Sequence, residues 1–243
     1  MNITRPGCVA VAAALLSLMS CAARPADALA GNGRVVESER AVAAFTRVES
    51  GGSALIRLRK GPVHRVVVTT DQNLQEHFDV RNSGSTLSLS FKPGTSVSRV
   101  SKLVVDVYAP SLEAVTLAGS GSAEFMDAFS GDSLGVILSG SGSLSGRVSY
   151  EALNLSLSGS GSASLSGSGE SLRLSITGSG SFKGRNYAVR EASGVLAGSG
   201  GAEIAASAAL TVTIAGSGSV RYYGSPVLKT TIGGSGSVRQ AAP

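Results

Sequence analysis

Residues 131–135 read Gly-Asp-Ser-Leu-Gly, which spells a G-D-S-L hydrolase signature and also fits the G-x-S-x-G nucleophile elbow. Either arrangement presents a serine hydroxyl on a tight turn and needs an imidazole to take its proton. The only histidines, His64 and His77, both precede Ser133, and no D-x-x-H follows it. Ser133 is therefore read as a turn residue, not a nucleophile. Asp132, Glu151 and Glu170 each lie six residues before an aliphatic position of a repeat, and Glu191 lies five before one. Stacked at one corner, carboxylates about 5 Å apart would raise one another's pKa or hold a cation such as Ca²⁺. Clustered acids of this kind could also cleave a polysaccharide. The plainer reading is a polar turn, neutralised in part by Arg173 and Arg190. Phosphate loops of the G-x-G-x-x-G or G-K-[ST] type are missing from the sequence, and the two cysteines, Cys8 and Cys21, both lie near its start. No catalytic, cofactor-binding or metal-binding residue is assigned.

What would position these groups is a repeat. The motif [LI]-x-G-S-G-[SG] begins at residues 117, 138, 157, 176, 196, 214 and 232, spaced by 21, 19, 19, 20, 18 and 18 residues. A flexible spacer has no reason to keep such a period; a solenoid requires it. Each copy is flanked by strict alternation, as in Leu153, Leu155, Leu157 against Asn154, Ser156, Ser158. A period of two means extended strand with one face in and one out. Both motif glycines fall in the inward phase, which predicts a bend across a narrow interior. Parallel stacking of such coils gives a β-helix that buries a core no single repeat could bury. The stack should place Leu117, Leu138, Leu157, Ile176, Leu196, Ile214 and Ile232 in one inward ladder. Ser120, Ser141, Ser160, Ser179, Ser199, Ser217 and Ser235 should form an outward hydroxyl column, with a second at Ser122, Ser143, Ser162, Ser181, Ser219 and Ser237. Phe125, Phe182 and Tyr222 fall in the inward phase; Tyr223 falls outward beside Arg221.

Residues 1–30 carry one early Arg, an apolar run from Val9 to Met19 and then small residues, the anatomy of an export signal. Leu18-Met19-Ser20-Cys21 resembles a lipobox that would make Cys21 a lipidated N-terminus, while Ala28-Leu29-Ala30 offers cleavage after Ala30. Residues 31–40 read as a linker, and 41–240 as one β-helix domain. Within it, 41–110 supply N-terminal coils or a cap, and 111–240 the GSGS coils. The 243 residues include 32 glycines, no Trp and only 5% aromatics, a composition suited to short strands and tight turns. The net charge of +5 is scattered singly, which speaks for a solvated surface and against nucleic acid.

The succession LVVDVYAPSLEAVTLAGSGSAEF, the repeated L-x-L-x-[LI]-x-GSGS and the closing GSGSVRYYGSPVLKTTIGGSGSVRQ resemble the putative auto-transporter adhesin, head GIN domain family of exported bacterial proteins. The resemblance spans roughly residues 41–240 and implies a right-handed, single-stranded parallel β-helix behind a signal peptide or lipobox. No segment after Gln240 reads as the membrane barrel an auto-transporter needs. The expectation is a non-enzymatic protein of the periplasm or outer surface, acting as an adhesin-like binding or structural module. It would use no cofactor, and a lipid anchor would be its one link to a membrane. Its serine face would meet a cell-surface glycan, another protein or a second copy of the chain. The alternative is a polysaccharide-active enzyme or glycan-binding protein on the same scaffold.

Overall fold

The computed structural model describes residues 28–242. The chain enters through a short strand, β1 (Leu29–Ala30), and then β2 (Val35–Arg40). Val35–Arg40 lies in the segment expected as a linker, yet its alternation pairs it along a neighbouring strand. The first coil follows as β3 (Arg47–Gly52) and β4 (Leu55–Lys60). The chain then leaves the stack for β5 (Arg65–Asp71), a 3₁₀ turn (Gln72–Leu74), β6 (Phe78–Ser83), β7 (Thr86–Phe91), β8 (Val97–Arg99) and β9 (Leu103–Ala109). Here β7 lies parallel on β3 and β9 parallel on β4, completing one further layer. The antiparallel pairs β2–β5, β5–β9 and β6–β7 close that end. The N-terminal coils or cap expected over 41–110 thus form one coil plus a mixed cap. The cap covers backbone groups that would otherwise be an open edge.

From β10 (Ala114–Gly119) the chain returns to the other side of β3 and winds without interruption. The coils are β11 (Ser122–Gly140), β12 (Ser143–Gly159), β13 (Ser162–Gly178), β14 (Ser181–Gly198) and β15 (Gly201–Gly216), then β16 (Ser219–Tyr223), β17 (Val227–Gly233) and β18 (Ser237–Gln240). All stack in parallel. The pairings Leu117–Leu138–Leu157–Ile176–Leu196–Ile214–Ile232 form the aliphatic ladder. Its members are buried up to Ile214, and Ile232 at the last coil is exposed. A core this narrow is filled by interdigitated Leu, Ile and Val side chains.

The two glycines of each motif have different work. Gly159 is exposed with φ +107°, and a Cβ on it would stand 2.6 Å from the carbonyl oxygen of Gly140 in the preceding coil. Gly161 is buried, and its Cβ would stand 2.8 Å from Gly142 O. The first glycine, expected inward, instead turns the corner in a conformation open to a residue without Cβ; only the second faces the interior. Carbonyls at the corner point along the axis, so Ser160 N–H donates to Gly140 O (2.9 Å) and Ser162 N–H to Gly142 O (3.0 Å). The ladder therefore runs through the bend instead of breaking at it.

At a second corner Tyr150 of β12 and Tyr187 of β14 are both buried. The Tyr150 hydroxyl donates to Leu112 O (2.8 Å) and the Tyr187 hydroxyl to Tyr150 O (3.3 Å). Burial pushes the Tyr150 phenol up to about 12, and raises that of Tyr187.

Candidate functional site

The outward serines form the most regular surface of the molecule. Ser120, Ser141, Ser160, Ser179, Ser199, Ser217 and Ser235 are all exposed on the corner made by the motif glycines. From Ser120 to Ser217 their N–H groups are spent on the preceding coil, as Ser141 N to Gly119 O (3.0 Å), Ser179 N to Gly159 O (2.9 Å) and Ser217 N to Gly198 O (2.9 Å) show. Among the described residues none of these hydroxyls bonds within the chain, so each Oγ remains available to solvent or a ligand. Strand stacking sets them roughly 4.8 Å apart. The second column, Ser122–Ser143–Ser162–Ser181–Gly201–Ser219–Ser237, is in register beside it, with Gly201 where a serine is missing.

An eighth step went unread in the sequence. Gly119 pairs with Gly52, which has φ +103°, and Ser53 is exposed at the corner one step before Ser120. The signal was Ser-Gly-Gly-Ser at 50–53, displaced from the period by the inserted cap.

The acidic residues come together only in part. The register around them sets Asp132 beside Glu151 and Glu151 beside Glu170. The next coil keeps the register of the aliphatic ladder: Ser171 pairs with Glu191, so Arg190, not an acid, follows Glu170. Arg173 is farther along its strand, opposite Asn154 and Ser193. Among the described residues no three metal-capable side chains converge. Ser133 sits exposed within β11, and its hydroxyl is approached by Asn154 Nδ2 at 3.5 Å. His64 is engaged elsewhere, its Nε2 2.9 Å from Phe45 O and its ring edge-on to Phe45. His77 is in the cap beside Glu76. Cys21 lies outside the described residues.

Phe125 and Phe182 are buried and Tyr222 packs half-buried against the core. Tyr223 carries Arg185 over its ring, 5.1 Å from the centroid.

These features define a parallel β-solenoid with an exposed, in-register hydroxyl column. The chain belongs to the putative auto-transporter adhesin, head GIN domain family, whose model matches residues 44–226. Membership implies an exported or surface protein of a bacterium. Three solved structures share the fold. A putative adhesin from Bacteroides fragilis is 19% identical with a TM-score of 0.83, over 88% of this chain and 100% of that one. A putative lipid binding protein from Parabacteroides distasonis is 23% identical with a TM-score of 0.76, over 88% and 99%. A putative adhesin from Parabacteroides merdae is 23% identical with a TM-score of 0.73, over 89% and 100%. No curated protein matches the chain.

Proposed function

We propose that the protein is a non-catalytic binding module of the bacterial cell envelope, and that its serine corner engages a repetitive surface glycan. The observation that carries this reading is the exposed, in-register serine column with free hydroxyls. A polymer with a regular repeat can meet such a column many times, and weak contacts then add through effective concentration. Glycan-array binding, run beside a reducing-end assay on the same sugars, tests it. Ser160→Trp should reduce retention with an unchanged melting temperature. Release of reducing ends would instead favour a polysaccharide-active enzyme.

The same module is anchored through Cys21. Support comes from the start of the described chain, where Leu29 N–H donates to Ser96 O and Gly31 N–H to Arg99 O, each at 2.8 Å. The Asn73 side chain also donates to Ala30 O (2.8 Å). Cleavage after Ala30 would excise this strand, whereas processing at Cys21 keeps it. Cys21→Ser should move the protein from the membrane fraction to the soluble one with its fold unchanged. A mature N-terminus at Gly31 would overturn the anchor.

A further inference from the structure

The coils differ in length, and the difference shapes the surface. Between Phe125 and Phe129, β11 holds three residues where β12 has only Arg147 between Gly146 and Val148. On the other side, β14 inserts Arg185, Asn186 and Tyr187 between Gly184 and Ala188, whose partners Ile204 and Ala205 in β15 are adjacent. The short coils β12 and β13 therefore lie between two bulged ones, and a groove of about 580 Å³ opens over them. Its lining includes Ser145, Ser164, Ser166 and the backbone of Gly146, with Leu165 beneath. Arg147, Lys183 and Arg185 also line it, and one acid, Glu203, faces Lys183 across the strands.

All three cations are exposed, and none forms an ion pair among the described residues. Arg185 is held by the Tyr223 ring, so its fork is partly oriented before any ligand arrives. Three cations against one carboxylate among its lining residues leave the groove net positive. Hydroxyls at its base match sugar hydroxyls, and guanidinium groups match a carboxylate or sulfate bidentately. The groove is open, so a chain can pass through it.

We infer that this groove binds an anionic sugar unit, a uronate or sulfated residue, of an acidic polysaccharide. The inference builds on the reading of the protein as a glycan-binding module but places a second, charge-selective subsite on the sheet face beside the serine corner.

Isothermal titration of the full mature chain tests it, with oligogalacturonate, a sulfated heparin oligosaccharide and neutral maltohexaose as probes. At least one acidic probe should bind, with affinity falling as salt rises, and maltohexaose should bind at least about tenfold more weakly. Arg185→Gln and Lys183→Gln should each weaken the acidic probe about tenfold, with circular dichroism unchanged. Arg173→Gln removes the same charge from a different face and should change affinity less than about twofold. Equal losses in all three variants would mean diffuse attraction to a basic protein and would overturn the site. So would equal affinity for neutral and acidic probes, or no binding of either acidic probe. Phosphatidylglycerol vesicles bound in preference to both acidic oligosaccharides would replace the sugar with a lipid headgroup. If Ser160→Trp abolishes array binding while the titration is unaffected, the corner and the groove are separate sites. If array binding of neutral glycans survives but the acidic probes fail, the groove alone is wrong.

Discussion

A single Cβ decides whether two coils can stack at the corner. Gly161→Val must displace Gly142 O, 2.8 Å from the first added carbon, and should cost about 2–4 kcal/mol through overpacking. Ser160→Val, one residue away and exposed, should stay within about 1 kcal/mol. Thermal melts of the two variants check the contrast, and equal shifts would mean that the inward and outward phases are misassigned. Tyr150 offers a second residue-scale test. Its folded pKa is raised by burial to about 12 from 10.0, so the unfolded chain ionises first on going alkaline. Stability from this group is fully present below pH 10 and is lost as pH rises through about 12. Tyr150→Phe should weaken that alkaline loss, read by melts across the same range, while costing about 1 kcal/mol at neutral pH for the lost bond to Leu112 O.

The alternation and the glycine spacing made the repeating strands legible, because both are local properties of each coil. The cap was legible only as strand chemistry. Its reversal depends on pairings such as Val36–Thr70 and Val68–Val105, between residues tens of positions apart. One carboxylate ties these elements together. Asp71 is buried at the end of β5 and accepts the N–H groups of Gly33 and Ser101, each at 2.8 Å. The bond from Ser101 leads in holding its carboxyl below the ordinary value of 3.8. The unfolded chain therefore binds the proton more readily than the folded one. Stability from Asp71 is present above pH 3.8 and is lost as pH falls through its lower folded value. Below pH 4 the amides of β1 and β2 should lose hydrogen-exchange protection before those of β13. Asp71→Asn should loosen the same strands at neutral pH. Cap and coils opening together in acid would count against this local control.

Along the whole molecule, protection should fall toward the last coil. Every residue of β17 is exposed, with Val227 at 80%, and β17 pairs with β15 alone among the described strands. Edge strands with few buried contacts open at low free energy. Amides of β17 and β18 should exchange first under native conditions and those of β12–β13 last; uniform exchange along the axis would contradict a stack stabilised coil by coil. The sequence by itself determined the coil, the inward ladder and the outward serine column, since side-chain phase and backbone reach are set within about twenty residues and merely repeated. The tertiary structure alone decided the rest. Ser53 joins the serine column only because the chain returns from the cap to pair β10 with β3. Arg147, Lys183 and Arg185 share one groove only because two long coils flank two short ones. Each of these depends on how unequal coils register against one another, and that is settled by contacts across the stack, not by the local pattern of any one repeat.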